Sequence, residues 1–256
     1  MNKLILYITL FYVHVLFTCA FSQTLEEKNT IIAMDFHPVL QLYISGSEDI
    51  NFEFNEISEY QTGIVRYGAT VLAVNATVNW DLYAVGFSSA GTVWEQQIKY
   101  GAATDPNAEN ILSLHALELH QNNANPSATG ASPSVNADYS SPFTSSISVG
   151  RNSIYTSSNP YIKPLATDKY IAGHASTSDF ITGGSYLINN NSGSMGASGN
   201  FYYIIDYRIK PGLPPTFPNS GTNSVSPVAD GIITPGHYLQ PGIYTCSVKY
   251  ILTENN

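Results

Sequence analysis

Alternation of apolar and polar side chains is the dominant pattern in this chain. Within residues 74–84 every second side chain is apolar: Val74, Ala76, Val78, Trp80, Leu82 and Ala84. The positions between them hold Asn75, Thr77, Asn79, Asp81 and Tyr83. Successive side chains of a β-strand point to opposite faces of the sheet. The stretch therefore predicts one strand, with Trp80 and Leu82 buried and the intervening residues facing water.

The same period of two recurs in three further stretches. In residues 50–54 the apolar positions are Ile50, Phe52 and Phe54. In residues 201–210 one face holds Phe201, Tyr203, Ile205, Tyr207 and Ile209, and the other holds Asp206, Arg208 and Lys210. The closing strand places Tyr244, Cys246, Val248, Tyr250 and Leu252 on its apolar face, so we expect Tyr244 and Tyr250 to be buried. Many short strands separated by turn signals predict an all-β, antiparallel, immunoglobulin-like sandwich.

Residues 105–123 fit two patterns. Leu112, His115 and Leu119 admit a helix, whereas Leu112 and Leu114, and then Leu117 and Leu119, alternate as in a strand. We favour a strand preceded by one helical turn. Long polar segments lie near 121–146, 189–200 and 211–230. Loops of this length either form a ligand-facing rim or decorate the ends of the sandwich.

The N-terminus is typical of a secretory signal. Lys3 precedes an apolar run over residues 4–17, which is shorter than the roughly 20 residues of a membrane span. Ala20 and Ser22 are small residues of the kind found at a cleavage site. We predict a signal peptide over residues 1–22 and a single domain over residues 23–256. Two alternatives are an uncleaved anchor helix and lipidation of Cys19, although Thr18 is unusual before a lipidated cysteine.

The composition limits the kinds of partner that the protein is expected to bind. Charged residues make up 11% of the chain, and the net charge is −9. Binding of nucleic acid requires clustered Lys and Arg, so nucleic acid is not expected. No second apolar run of spanning length follows the signal, so we expect no integral membrane span in the mature chain. The expected location is the periplasm or the cell surface.

Metal and thiol chemistry receives little support. The histidines of the mature chain are His37, His115, His120, His174 and His237. His115 and His120 do not have the spacing of a helical zinc pair, and the others are isolated. Cys246 is the one cysteine beyond the signal, and in an apolar strand it is typical of a small buried side chain. We predict no metal site and no cofactor.

Catalytic motifs were not found either. The chain lacks a G-x-S-x-G elbow and a phosphate-binding loop, and its carboxylates are scattered. We therefore predict that the protein is not an enzyme. Aromatic side chains can stack on sugar rings, and Trp94, which is near a turn, is the weak candidate for a ligand-binding residue. The Asn75-Ala76-Thr77 sequon matters only in a host that glycosylates it.

Two motifs resemble those of WxL-like cell-surface proteins. One is Trp80-Asp81-Leu82, and the other is the closing PG-x-Y-x-x-x-V-x-Y pattern of residues 241–250. The phrases DINFEFNEISEYQTGI and FYYIIDYRIKPGLPPTFP resemble a variant from Bacteroidetes-type Gram-negative bacteria. A second W-x-L is replaced by Tyr250-Ile251-Leu252. The resemblance implies a β-sandwich that associates with the cell wall through peptidoglycan.

We therefore expect a non-enzymatic envelope protein that acts by surface interaction with cell-wall or other glycan, or with another envelope protein. One alternative is a fibre subunit, because the G-x-Y closing strand also resembles pilus-type and spore-coat-U-like subunits. Those assemble by donating strands, a role open to residues 23–40. The other alternative is a carbohydrate-binding module or a secreted hydrolase.

Overall fold

Strands dominate the structure. The computed structural model describes residues 2–18, 27–28, 30–47, 49–101, 106–122, 138–143, 152–165, 168–173, 201–211, 213 and 237–254. The helices are α1 (Asn2–Thr18) and α2 (Ile57–Thr62), and a 3₁₀ turn spans Leu114–Ala116. The strands are β1 (Leu40–Gly46), β2 (Ile64–Ala76), β3 (Trp80–Phe87), β4 (Glu95–Lys99), β5 (Ala108–Glu109), β6 (Leu117–Gln121), β7 (Tyr202–Ile209), β8 (Tyr238–Leu239), β9 (Gly242–Thr245) and β10 (Ser247–Glu254). The prediction of an all-β protein with antiparallel sheets is confirmed.

The chain divides into two units, Met1–His37 and Pro38–Asn256. In the first unit, the apolar run of the predicted signal forms α1. None of the helices within the described ranges is long and apolar enough to cross a membrane. Beyond α1, Ile31, Ile32, Met34 and Phe36 are all exposed.

A four-stranded antiparallel sheet, in the order β1-β2-β7-β6, organises the second unit. Its inner face carries the apolar residues of each strand, such as Leu72, Tyr203 and Leu119. These side chains share one buried cluster with Trp80, Leu82 and Ala84 of β3. Val248, Tyr250 and Leu252 of β10, which pairs with β3, pack against the same cluster. The core therefore lies between the inner face of the four-stranded sheet and the β3–β10 pair.

Residues 74–84 form parts of two strands, and the prediction of a single strand is wrong. β2 ends at Ala76 and pairs with β1 and β7, whereas β3 begins at Trp80 and pairs with β10. Trp80 and Leu82 are fully buried, as their apolar face predicts. Asp81 and Tyr83 are buried as well, which overturns the expected wet face. Residues 168–173 cover that side of β3, where Tyr83 packs with Tyr170 and the Leu82 N–H donates to the Ala172 carbonyl.

The two faces of β7 show the same departure from the prediction. Tyr203, Ile205 and Tyr207 are buried on the inner face, as expected. Asp206 and Arg208 on the outer face are only 3% and 7% exposed, so they do not face water as predicted. Their side chains form hydrogen bonds with neighbouring protein groups instead of with water.

The closing segment is less buried than predicted. β9 and β10 are separated at Cys246, and Tyr244 and Tyr250 are partly rather than fully buried. The Tyr250 hydroxyl nevertheless contacts the Tyr207 hydroxyl, which lies 3.0 Å from Thr70 Oγ1. This chain of hydroxyl groups links β10 to the four-stranded sheet.

Two further expectations have clear outcomes. The 3₁₀ turn at Leu114–Ala116 followed by β6 confirms a strand with one helical turn before it. Residues 50–54 are not a regular strand, although Ile50, Phe52 and Phe54 do pack against the core. Most of the polar segments 121–146, 189–200 and 211–230 lie outside the described residues.

Candidate functional site

The outer face of the four-stranded sheet carries two cross-strand polar pairs. The register of β6 and β7 places His120 opposite Asp206 and Glu118 opposite Arg208. Paired residues in adjacent strands share a face and lie close enough for their side chains to interact. Since all four side chains are charged or titratable, this face of the sheet differs sharply in chemistry from the apolar inner face.

A β-bulge in β2 shapes the surface beside Asp206. The register between β2 and β7 shifts between Arg66 and Thr70, and Gly68 within this stretch has a positive φ of 59°. Glycine adopts this conformation without the steric cost that a side chain would bring. The bulge directs the Gly68 N–H to Asp206 Oδ1 at 2.7 Å. It also leaves Tyr67 77% exposed at the surface.

These elements surround an open depression of about 350 Å³. Its walls are formed by Tyr67, Gly68, His120, Asn122, Pro142, Phe143, Ile204 and Asp206. The polar groups come from the C-terminal end of β6 and the residue after it, from Asp206 in the middle of β7, and from the bulge in β2. The apolar side chains come from β7 and from residues 142–143, which lie far from it in sequence. The depression therefore combines hydrogen-bonding groups with an aromatic and aliphatic wall, as small-molecule sites commonly do.

Asp206 is the centre of the hydrogen-bonding network. Its Oδ2 lies 3.0 Å from His120 Nδ1, and its Oδ1 accepts from Gly68 and, at 3.5 Å, from Asn122 Nδ2. The side chains of His120 and Asp206 are only 15% and 4% exposed. With the proton on Nδ1, His120 donates to Asp206 and keeps Nε2 as an acceptor for a further partner.

Phe143 supports the site from one side. Its ring centroid is 5.7 Å from that of His120, and the Arg208 guanidinium lies 4.7 Å from it. Arg208 Nε also donates to Glu118 Oε2 at 2.6 Å, and both side chains are almost fully buried. Because Arg208 is fixed by both partners, Phe143 packs between two positioned groups. Phe143 is therefore held in place by its neighbours, whereas the Tyr67 ring of the same lining is exposed.

The depression presents several hydrogen-bonding groups. Among the described side chains that line it, Asp206 is the only carboxylate, whereas glycoside hydrolysis requires two. In the described part of the chain, no three His, Cys, Asp or Glu side chains come together as a metal site. The lining supplies a carboxylate, an amide, an imidazole and an exposed phenol. These groups suit an uncharged molecule that is rich in hydroxyl or amide groups.

Most of the candidate residues from the sequence lie elsewhere. Trp94 is half-buried against the core and does not line the depression, and its buried indole nitrogen has no hydrogen-bond partner among the described residues. Trp80 and Leu82 belong to the core. His37 pairs with Asp35 at 3.2 Å and His237 with Glu109 at 3.5 Å, while His174 lies outside the described residues.

His120 and Asp206 were not recognised as partners from the sequence. The sequence presents His120 only as a possible metal ligand, and the alternation of its strand predicts that Asp206 faces water. Neither Tyr67 nor Asn122 carries a motif. The signal that would have found the pair of His120 and Asp206 is the antiparallel register of β6 and β7, because it alone places the two residues side by side.

Comparison with protein-family models gave no match to any part of the chain, and comparison with curated proteins gave no detectable relative. The resemblance to WxL-like proteins therefore rests on the sequence motifs.

Proposed function

We propose that this protein is a non-enzymatic, exported component of the cell envelope, and that the depression binds a neutral, N-acetylated glycan of the cell-wall type. One observation carries the proposal: the exposed Tyr67 ring stands beside the anchored group of Asp206, His120 and Asn122. Sugars present an apolar C–H face together with a rim of hydroxyl groups. An aromatic ring contacts the first, and planar polar side chains hydrogen-bond to the second.

The apolar part of the lining supports an acetamido sugar. Pro142, Phe143 and Ile204 lie in the same wall as Asp206. An acetamido group carries a methyl group that such a wall can cover, and an amide N–H that can donate a hydrogen bond to a carboxylate. A plain hydroxyl group would leave this apolar surface without a partner. The arrangement therefore favours an N-acetylated sugar over an unsubstituted one.

Charge supports a neutral ligand. The chain carries a net charge of −9, and Asp206 adds a carboxylate at the site itself. An anionic polymer would be repelled by both. The single carboxylate in the described lining also favours retention of the glycan over its hydrolysis.

A glycan array and pull-downs on purified peptidoglycan test this proposal. Wild-type protein should bind N-acetylated glycans, and Tyr67→Ala and Asn122→Ala should each weaken binding about ten-fold, since one aromatic or hydrogen-bonding contact accounts for roughly that much. Tyr161→Ala is the matched control, because Tyr161 is 82% exposed but does not line the depression. Total absence of binding, or equal binding by wild type, Tyr67→Ala and Asn122→Ala, would contradict the proposal.

A second candidate function, assembly into fibres by strand donation, is favoured by the segment after α1. Ile31, Ile32, Met34 and Phe36 are 77–93% exposed, which is unusual for large apolar side chains so close together. A donated strand inserts such side chains into a second copy. Size-exclusion chromatography and negative-stain microscopy at high concentration should then show polymers, and Ile32→Ser with Met34→Ser should abolish them. Monomers alone in the wild type would count against this function.

A further inference from the structure

We infer that the glycan site extends from the depression across the outer face of the sheet to Tyr202 and Tyr43, so that its ligand is an extended oligosaccharide. The inference rests on the proposed glycan-binding function and specifies the class of ligand. It follows from the register of three neighbouring strands, from the exposure of two tyrosine rings and from the absence of charge along the path that connects them to the depression.

The register aligns the two tyrosines in one row. Tyr43 of β1 pairs with Ala73 of β2, and Ala73 pairs in turn with Tyr202 of β7. Residues paired across a sheet share a face, so both rings lie on the same side. The two strands that carry them are separated by one intervening strand, which places them roughly 10 Å apart.

The row is continuous with the depression. Tyr202, Ile204 and Asp206 alternate along β7 and therefore share its outer face, and Ile204 and Asp206 line the depression. Ile204 pairs with Val71, which pairs with Ser45 in β1, so a second row fills the space between the tyrosines and the depression. Within the described part of the chain, a ligand bound at Asp206 can therefore continue over Ile204 to Tyr202.

The shape of the row suits a ligand that lies flat on the sheet. Ala73 between the two tyrosines is small and only 6% exposed, whereas Tyr43 and Tyr202 are 44% and 41% exposed. The Tyr43 hydroxyl donates to Gln41 Oε1 at 3.1 Å, which limits the rotation of that ring. Two partly exposed rings flanking a small residue form a shallow platform with aromatic edges. Platforms of this kind provide contact area with little loss of side-chain entropy on binding.

The chemistry of the path is uncharged. The row and the path consist of Tyr43, Ser45, Val71, Ala73, Tyr202 and Ile204, which include no Asp, Glu, Lys, Arg or His. A polyanion or an acidic headgroup would find no cation here. A neutral sugar chain can stack on the tyrosines and place its hydroxyl groups in water, so the surface favours that ligand class over a charged one.

Calorimetric titration with the disaccharide and the hexasaccharide of N-acetylglucosamine tests the extension. The wild type should bind the hexasaccharide about ten-fold more tightly than the disaccharide. Tyr202→Ala and Tyr43→Ala should each weaken hexasaccharide binding about three- to ten-fold and leave disaccharide binding unchanged. Tyr67→Ala should weaken binding of both. Tyr43→Phe keeps the ring and removes only the bond to Gln41, so it should weaken hexasaccharide binding less than Tyr43→Ala does.

The outcomes separate the two proposals. One outcome would be disaccharide binding that depends on Tyr67, together with hexasaccharide binding that is no tighter and is unchanged by Tyr202→Ala and Tyr43→Ala. In that case the extension is wrong and the glycan site at the depression stands. If neither probe binds, the proposed function fails and the extension fails with it. Thermal unfolding of each variant, compared with wild type, shows that any loss of affinity arises in a folded protein.

Discussion

His120 Nδ1 on β6 lies 3.0 Å from Asp206 Oδ2 on β7, although the two residues are 86 positions apart in the chain. The contact joins β6, which follows the 3₁₀ turn, to β7, which carries Asp206 on the outer face of the sheet. It also fixes the one carboxylate of the described lining of the depression. The pair therefore couples the stability of the sheet to the geometry of the proposed site.

The first prediction concerns the strength of that pair. A double-mutant cycle with His120→Ala and Asp206→Ala should give a coupling of about 1–3 kcal/mol in the free energy of unfolding, because the hydrogen bond is shielded from water and involves an ionised group. Denaturant unfolding of the four proteins gives the value.

The chain provides a matched control for this cycle. His37 and Asp35 approach to 3.2 Å, but their side chains are 79% and 83% exposed. The same cycle on that pair should give no more than about 0.5 kcal/mol, since exposed ion pairs contribute little. Equal coupling for the two pairs would contradict the assignment of a shielded contact to His120 and Asp206.

The second prediction concerns the core. Trp80 is fully buried and makes edge contacts with Phe201, at 5.5 Å between ring centroids, and with Tyr203, at 6.4 Å. Trp80→Ala leaves a large cavity and should lower the free energy of unfolding by about 3–5 kcal/mol. Tyr67→Ala removes an exposed ring and should change it by no more than about 0.5 kcal/mol. A Trp80→Ala protein as stable as Tyr67→Ala would show that the indole does not lie in the core.

The inner faces of the sheets could be predicted from the sequence, because burial leaves an apolar residue at every second position. This is how Trp80, Tyr203 and Ile205 were assigned. The burial of the outer faces could not be predicted, because a polar side chain produces the same sequence pattern whether it forms hydrogen bonds with water or with protein. Asp81 and Asp206 look exposed in the sequence but are buried in the structure. The covering segments come from distant parts of the chain, and local alternation carries no information about them.

The candidate site was missed for a related reason. Its residues are contributed by a bulge in β2, by the paired β6 and β7, and by residues 142–143. The separation of His120 and Asp206 in the chain means that only the strand register brings them together. Trp94 was preferred because a tryptophan near a turn is a local signal, and such a signal does not distinguish an exposed ring from one packed against the core.

The third prediction concerns the buried ion pair of Glu118 and Arg208, with 2.6 Å between Arg208 Nε and Glu118 Oε2. Arg208→Met leaves the Glu118 carboxylate buried without its cation and should lower the free energy of unfolding by about 3–5 kcal/mol. Combining Arg208→Met with Glu118→Leu removes both charges and should restore most of that loss. Chemical denaturation measures both variants, and a double variant no more stable than Arg208→Met would contradict this account.

The fourth prediction concerns the Cys246 thiol, which packs against the core. Burial raises the pKa of Cys246 to about 12, so the reactive thiolate is scarce in the folded protein. In a Cys19→Ser background, a disulfide reagent at mildly alkaline pH should label Cys246 slowly in the native protein. The same chain in denaturant should react at once. Fast labelling of the folded protein would show that the thiol is accessible.

The last prediction concerns Lys169, which is 9% exposed. Its Nζ donates to the Ser153 carbonyl at 3.2 Å and lies 4.6 Å from the centroid of the Tyr139 ring. Burial lowers the pKa of Lys169 to about 7, with Lys210 acting in the same direction and Glu118 and Asp138 opposing it. The folded protein therefore releases a proton that the unfolded chain keeps until pH about 10.4.

The sign of the effect on stability follows directly. Between these two pKa values the unfolded chain binds more protons than the folded one, so the contribution of Lys169 to stability rises with pH. It is complete above the unfolded pKa and is lost as pH falls through about 7. The useful window ends near pH 9, because the tyrosines of the unfolded chain are half ionised at pH about 10.

The experiment compares wild type with Lys169→Met by denaturant unfolding from pH about 6 to about 9, where the tyrosines of the unfolded chain are still mostly protonated. The free energy of unfolding of the wild type should rise relative to that of the variant as pH rises, with a slope of no more than about 1.4 kcal/mol per pH unit. Lys99→Met is the control, since Lys99 is exposed in the folded protein and its curve should run parallel to that of the wild type. A parallel curve for Lys169→Met would mean that Lys169 keeps its proton in the folded state, and that its burial is offset by neighbouring carboxylates.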